Sequence, residues 1–227
     1  MQLPPNQSAI NEMPATSFVT SISSPLTFPL HAMAGSLGDL ARMMAEGTEV
    51  PEEFYFAAGL TVLGAMCGKD LSVSVGFKVE PRLYTVLLGD SYSVKKSTAM
   101  RKTLEFFGAM EIRKPHFNYG VGSAEGLVQS LRAHPNLILA YDELRSFVDK
   151  TRVQGSVLLP MVTSLFEGND WENTTKSRKQ SIPLRDVHLS LIGCCTKGTY
   201  ADIWTKDTIA IGFPNRLFVV NADLRGL

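Results

Sequence analysis

The sequence is poor in cysteine and carries no net charge, and each shortage excludes a class of protein. Its three cysteines, two of them adjacent at Cys194 and Cys195, have neither the number for a disulfide framework nor the spacing of a Cys/His metal site. The 22 basic residues equal the 22 acidic ones, so the strongly basic balance typical of nucleic-acid-binding domains is missing. Any contact with DNA must therefore come from a local cluster of basic residues.

Long hydrophobic runs are also missing. No apolar run approaches the ~18 residues of a membrane span, and no basic-then-apolar signal peptide opens the chain. We therefore expect a cytoplasmic protein without a membrane partner. With 227 residues and a hydrophobic fraction of 44%, one domain with a sizeable core is the default.

The pattern of the sequence changes twice along the chain. Residues 1–30 hold a single charge and five prolines without a helical or strand period, which indicates a disordered tail or linker. Residues 31–70 have apolar residues at helical spacing and predict two packed helices, the second opened by Pro51 and ending near Gly68. Residues 71–227 alternate strand and helix patterns and are interpreted as the core of the protein.

Within the core, continuous apolar runs predict strands that are buried on both faces. A short alternating strand is predicted at 71–75, a further short strand at 117–121, and buried strands at 83–88, 137–141, 188–192 and 217–220. Helical patterns follow at 97–110, after the capping residue Ser123, from Leu144 and at 158–166. Strands that alternate with helices predict an α/β fold with a mainly parallel central sheet flanked by helices.

The strongest candidate site directly follows a buried strand and directly precedes a helix. In a phosphate-binding loop, this placement lets backbone N–H groups and the positive end of the helix converge on the phosphates of a nucleotide. We therefore predict nucleotide contacts throughout one continuous segment: Gly89, Asp90, Ser91, Tyr92, Ser93, Val94, Lys95, Lys96, Ser97 and Thr98.

This segment departs from the regular pattern G-x-x-x-x-G-K-[ST], and two registers compete. Lys95 keeps the usual distance from Gly89 but is followed by a second lysine, whereas Lys96 is followed by Ser97 but lies one residue too far on. We prefer Lys96-Ser97, because these neighbours can place an ammonium on phosphate and a hydroxyl on Mg²⁺ from one helical turn. The alternative is a polar loop with two exposed lysines, since the missing second glycine removes a position that tolerates positive φ.

Further candidates stand at the ends of the other strands. The strand at 137–141 is followed by Asp142 and Glu143, where one carboxylate can hold the Mg²⁺ shell and the next can orient a water for attack on the γ-phosphate. Thr196, after the strand at 188–192, is the candidate sensor of the γ-phosphate. Arg216 can reach transition-state charge through its planar guanidinium, and a neighbouring subunit often supplies such an arginine.

Six short segments occur in an order that resembles a known family. They are Phe28-Pro-Leu-His-Ala32 before the helix pair, 84–98, Gly122-Ser-Ala-Glu-Gly-Leu127, the Asp142-Glu143 strand, Leu165-Phe-Glu-Gly168 and Gly212-Phe-Pro-Asn-Arg216. Together they look like the RecA-like P-loop ATPase (helicase) domain of primase-associated replication proteins from plasmids, phages and integrated elements, long a domain-of-unknown-function family. The resemblance runs from about Phe28 to the end of the chain.

The resemblance implies an activity and an assembly. It implies hydrolysis of ATP with Mg²⁺, DNA (most simply single-stranded) as the substrate of motion, a homo-oligomer such as a hexameric ring, and an associated primase domain or protein. It also makes Glu125 the alternate catalytic base, since some ring helicases take this carboxylate from the preceding strand end. Family domains continue past the arginine-bearing strand, so we expect the core in 71–227 to be C-terminally incomplete.

Contact with DNA is predicted in the one basic cluster without interleaved acids, which contains Lys176, Arg178 and Lys179. Ring ATPases place pore-facing loops at this point between strands, and such a loop would hold backbone phosphates electrostatically. Trp171 nearby either stacks on a base or is partly buried. Two other functions stay open: a scaffold module that binds nucleotide with little or no hydrolysis, and a ring ATPase that acts on protein.

Overall fold

The computed structural model describes residues 28–76, 78–90, 94–112, 114–172 and 183–223. Most of the predicted tail, residues 1–27, lies outside these ranges, as do residues 224–227. Among the described helices, none combines the length and the apolar character that crossing a lipid bilayer requires.

Five strands form one entirely parallel sheet at the centre of the structure. The chain first makes a short antiparallel pair, β1 (Val73–Ser74) and β2 (Lys78–Val79). The sheet then takes β3 (Tyr84–Leu88), β4 (His116–Asn118), β5 (Asn136–Tyr141), β6 (His188–Cys195) and β7 (Leu217–Asn221), in the order β4-β5-β6-β3-β7. The predicted α/β fold with a mainly parallel sheet is confirmed, and the β1–β2 pair lies apart from the sheet.

Helices cover both faces of this sheet, as a parallel sheet requires. They are α1 (Gly35–Ala45), α2 (Glu52–Cys67), α3 (Lys96–Gly108), α4 (Ala124–Ala133), α5 (Leu144–Thr151), α6 (Leu158–Glu167), α7 (Lys197–Asp202) and α8 (Lys206–Ala210). Residues of α1, α2 and α3 share one apolar core with one face of the sheet. Residues of α4, α5 and α6 form a second core on the other face.

Most of these elements agree with the sequence prediction. The apolar pattern correctly indicated β3, β5, β6 and β7, and Ser123 caps α4 as expected, with its hydroxyl accepting from the Gly126 N–H at 3.2 Å. Two helices, α7 and α8, were missed. With 6 and 5 residues they are too short to display a helical period. Their only local signal was a capping threonine, Thr196 and Thr205 respectively.

Helix α2 is apolar on nearly all sides because it is buried between other elements. The buried hydroxyl of Thr61 on this helix lies 2.6 Å from the hydroxyl of Thr85 on β3, so these two polar groups satisfy each other. Gly64 lets this helix come close to the chain that enters β3, because a Cβ on Gly64 would lie only 2.2 Å from the backbone oxygen of Pro81. Close contact between α2 and the sheet thus depends on a missing side chain.

We predict that Gly64→Ala destabilises the fold by about 1–3 kcal/mol, since the new methyl group cannot fit without separating α2 from Pro81. The free energy of unfolding would be measured by urea denaturation. Gly126→Ala is the matched control in α4, where an added Cβ meets only the Ser123 hydroxyl at an ordinary 3.8 Å. That control should stabilise by up to about 1 kcal/mol through helix propensity. Equal effects of the two substitutions would contradict the tight contact at α2.

Candidate functional site

The carboxyl ends of three neighbouring strands bring the main candidates together at one edge of the sheet. Strand β6 lies between β3 and β5, with Leu88 paired to Cys195 and Tyr141 paired to Gly193. Gly89, Asp142 and Thr196 therefore follow their strands at the same edge, where ligands of open α/β sheets bind. We call this the carboxyl edge.

Lys96 turns into the loop that precedes it. Its ammonium donates to the backbone oxygens of Gly89 at 2.9 Å and Asp90 at 3.1 Å. The residue is only 9% exposed, and a buried ammonium needs such oxygen partners. Lys95, by contrast, is exposed and pairs with Glu49 at 3.0 Å. The geometry thus distinguishes the two adjacent lysines and favours the Lys96-Ser97 register.

The loop is anchored by packing directly before its two lysines. Val94 is buried, and a Cβ on Gly89 would lie 2.3 Å from one Val94 methyl carbon and 3.0 Å from the backbone oxygen of Ala222. Gly89 is therefore required here for close approach. The predicted contacts Ser91, Tyr92 and Ser93 lie outside the described residues.

Ser97 and Asp142 meet across the gap between α3 and β5. The Ser97 hydroxyl oxygen lies 3.5 Å from the backbone oxygen of Asp142, and the exposed Asp142 carboxylate lies 3.7 Å from Arg101 Nε. Thr98 follows, half-buried, in the first turn of α3. A hydroxyl and one carboxylate suit Mg²⁺, which keeps several waters and takes phosphate oxygens for the rest. No cluster of three or more His, Cys, Asp or Glu side chains that could hold a metal is found in the described ranges.

Two cysteines that the sequence analysis left without a role contact these candidates. The side chains of Cys194 and Cys195 lie on opposite faces of β6, the first close to Ser97 and the second close to Glu143. Burial raises the pKa of each thiol to about 12, so both are protonated at neutral pH. The Cys195 thiol can therefore donate to the Glu143 carboxylate. Only their position at a strand end could have indicated this contact.

Glu143 is held in place by the start of α5 as well. It precedes Leu144, which packs so closely on β6 that a Cβ on Gly193 would lie 3.0 Å from a Leu144 methyl carbon. Glu125, the alternate base, stands exposed in the first turn of α4 after the edge strand β4, one strand further from β3 than Glu143. The sheet order thus brings Glu143 nearer to the loop.

The hydroxyl of Thr196 is occupied by capping of α7. It accepts from the Thr199 N–H at 3.1 Å and bonds with the Thr199 hydroxyl at 2.9 Å. The residue stands at the carboxyl edge as predicted, with its hydroxyl turned along the helix. Its role as a sensor of the γ-phosphate stays a prediction.

Arg216 lies at the opposite edge of the sheet, which we call the amino edge. It directly precedes Leu217, which pairs with Tyr84 at the start of β3. The length of β3, roughly 16 Å at ~3.3 Å per residue, separates it from Gly89 in its own chain. Its guanidinium donates to the Gly212 oxygen at 2.7 Å and forms an ion pair with Glu167. Only a neighbouring subunit could therefore bring it to a nucleotide, and its predicted action there stays a prediction.

The amino edge also holds a buried cluster of paired charges. The Glu80 carboxylate accepts from Arg82 at 3.1 Å and from Asn169 at 2.9 Å, and it lies 3.4 Å from His188 Nδ1. Burial lowers the pKa of His188 to about 4, so this imidazole is neutral at physiological pH. A cleft of about 560 Å³ lies beside the cluster, but its buried charges already satisfy each other. We interpret these charges as structural.

The same cluster stands at the base of the segment predicted to bind DNA. Trp171 and Leu184 form an antiparallel pair with two backbone hydrogen bonds, of 3.1 and 2.8 Å, so the chain leaves and returns at this point. Trp171 is half-buried and packs against the core formed with α4, α5 and α6. The basic residues Lys176, Arg178 and Lys179 lie outside the described residues.

Comparison with known proteins assigns the chain to no family. No family model matches the sequence, and no curated protein is significantly similar to it.

We predict that native protein exposes one reactive thiol, that of Cys67, because Cys194 and Cys195 are buried and protonated. A chromogenic disulfide reagent should modify one thiol rapidly in the native state and all three after unfolding. Cys67→Ser is the control and should remove the rapid reaction. Rapid reaction of a second thiol in native protein would contradict the burial of Cys194 and Cys195 at the end of β6.

Proposed function

We propose that the chain is an ATP-hydrolysing P-loop motor domain of the RecA-like, helicase type, which acts on DNA in the replication of mobile elements or a related process. The observation that carries the proposal is the Lys96 ammonium, buried against the oxygens of Gly89 and Asp90 directly after a central strand. Because Ser97 then lies beside Asp142, the groups needed for phosphate and Mg²⁺ converge on one edge.

Each candidate takes one role in this proposal. Lys96 exchanges the two loop oxygens for the β- and γ-phosphates of ATP, which offer its ammonium negatively charged oxygens instead of neutral ones. Ser97 and Asp142 would hold Mg²⁺, which neutralises charge on the phosphates when bound. The loop N–H groups and the first turn of α3 orient the remaining phosphate oxygens.

Glu143 orients the attacking water in this proposal, since it follows Asp142 and is held by Cys195 and by the packing of Leu144. Glu125 stays the alternate base. Arg216 acts on the nucleotide of a neighbouring subunit, which requires a homo-oligomer such as a hexameric ring. Its ion pair with Glu167 would have to open for that contact.

DNA would be held at the other end of β6. Trp171 and Leu184, which flank the basic segment in the sequence, pair at the amino edge, next to the first residues of β6. The same strand ends beside Glu143 and Thr196, so one continuous strand joins the base of the proposed DNA loop to the proposed nucleotide site. This continuity supports a motor function, in which a conformational change caused by hydrolysis at one edge reaches the DNA at the other.

We expect Lys96→Ala to lower ATP turnover about 100-fold or more, because it removes the cation that meets the transferred charge. Glu143→Gln should lower it by about 100-fold or more if Glu143 handles the attacking water, with Glu125→Gln much milder. Phosphate release would be measured at saturating Mg²⁺ and ATP, with single-stranded DNA present.

Lys95→Ala tests the register and should change turnover by less than about threefold, since its exposed ion pair with Glu49 contributes little. Unchanged turnover in Lys96→Ala would overturn the whole site. A larger loss of ATP turnover in Glu125→Gln than in Glu143→Gln would mean that Glu125 on α4 is the catalytic base. Binding of nucleotide by wild-type protein without turnover would favour the scaffold function, for which the buried Val94 in the loop is the supporting observation.

Replacement of Lys176, Arg178 and Lys179 by alanine should weaken binding of single-stranded DNA. If each cation neutralises one phosphate, the slope of log affinity against log salt should fall by about 2 units in magnitude. Fluorescence anisotropy with a labelled oligonucleotide at several salt concentrations would measure both quantities.

The matched control removes three exposed cations from α3, α4 and α5, namely Lys102, Arg132 and Lys150. The same loss of charge there should leave the salt slope nearly unchanged. An equal effect of the two triple variants would mean that net charge alone attracts DNA. Intact ATPase activity without salt-sensitive DNA binding would instead point to a protein substrate.

A further inference from the structure

Lys197 joins three elements at the carboxyl edge. It is the first residue of α7, two residues after the end of β6. Its ammonium lies 3.5 Å from a carboxylate oxygen of Asp90 in the loop and 2.6 Å from a carboxylate oxygen of Asp223, which follows β7. A partly exposed cation therefore stands beside the candidate phosphate loop.

Lys96 and Lys197 both contact Asp90. Lys96 donates to its backbone oxygen at 3.1 Å, while Lys197 contacts its carboxylate at 3.5 Å. A carboxylate in a loop that surrounds phosphates would repel them unless a cation offsets its charge. Lys197 is positioned to supply that cation. Both lysines thus reach the same residue, one from the helix after the loop and one from the end of β6.

The contacts of Lys197 are suited to exchange. Its side chain is 39% exposed, and those of Asp90 and Asp223 are 62% and 69% exposed, so both ion pairs are screened by water and contribute little to stability. The hydrogen bond that Lys197 donates to Asp223 raises the pKa of Lys197, which keeps the ammonium charged at physiological pH. A triphosphate offers more negative charge than either carboxylate, and the four-carbon arm can turn towards it.

The neighbouring threonine cannot easily take this role. Both hydrogen-bonding functions of the Thr196 hydroxyl are engaged with Thr199 in the cap of α7. Lys197 is therefore the first side chain after β6 with a charge to offer the terminal phosphate.

We propose that Lys197 is a second phosphate-binding cation, which contacts the terminal phosphate of a bound nucleoside triphosphate from the β6 side while Lys96 contacts it from the loop side. The inference rests on the proposed function, since it requires nucleotide in the loop. The contact would let the site distinguish a nucleoside triphosphate from a diphosphate, because a diphosphate lacks the terminal phosphate that Lys197 contacts. Release of phosphate would return Lys197 to Asp90 and Asp223.

The test compares the affinity of the full chain for a fluorescent, non-hydrolysable triphosphate analogue and for the corresponding diphosphate, both with Mg²⁺. Lys197→Gln should weaken triphosphate binding about 10-fold or more, as expected for a lost charge-assisted contact, and diphosphate binding by less than about twofold. Lys197→Arg, which keeps the charge, should recover most of the triphosphate affinity.

Lys206→Gln is the matched control, because Lys206 also begins a helix directly after a capping threonine, Thr205, and is exposed. It should leave both affinities unchanged. Asp223→Asn removes a resting partner of Lys197 without removing the cation, and it should leave triphosphate binding equal or tighter.

The inference would be overturned if Lys197→Gln changed the affinities for triphosphate and diphosphate equally, or changed neither. In that case, loss of nucleotide binding in Lys96→Ala would leave the proposed function intact. Wild-type protein that binds neither nucleotide would overturn the proposed function itself, and the inference with it. Thermal denaturation of each variant would show that a lost affinity does not come from a lost fold.

Discussion

The burial of β6 on both faces is the constraint on which the rest of the structure depends. All eight of its residues are buried, and it pairs in parallel with β5 on one side and β3 on the other. The candidate loop after β3 and the Asp142-Glu143 pair therefore stand two strands apart, with the end of β6 between them. Cys194, Cys195 and Lys197 reach the candidate site because this strand runs between the loop and the carboxylates.

Charged groups at the two edges of the sheet differ in burial and in how strongly they are paired. At the amino edge, Glu80 and Arg82 are almost fully buried and satisfy each other, with Asn169 completing the network. Buried charges need such partners, because water cannot solvate them. At the carboxyl edge, Asp90, Asp142 and the Lys197 ammonium are more exposed and hold weaker contacts. Charges of this second kind can exchange partners, as binding of a charged ligand requires.

Separation of the edges also shapes the proposed function. The base of the predicted DNA-binding segment lies at the start of β6, and the proposed nucleotide site lies at its end, roughly 26 Å away at ~3.3 Å per residue. Arg216 stands at the first edge as well, so the proposed catalytic cycle needs a second copy of the chain to complete the site. Because Arg216 lies at the amino edge, the proposed hydrolysis of ATP depends on oligomerisation.

Most of the strands and helices and the place of the candidate loop could be predicted from the sequence, because apolar periods, the cap at Ser123 and a strand followed by Gly-x₆-Lys-Ser are local patterns. The tertiary structure was needed to show which of Lys95 and Lys96 turns inward, since the two are equivalent in a linear pattern and differ in burial. It alone brought Lys197 to Asp90, which is 107 residues distant. Such contacts depend on the order of strands in the sheet, and strand order is set by the packing of whole faces, which no short pattern records.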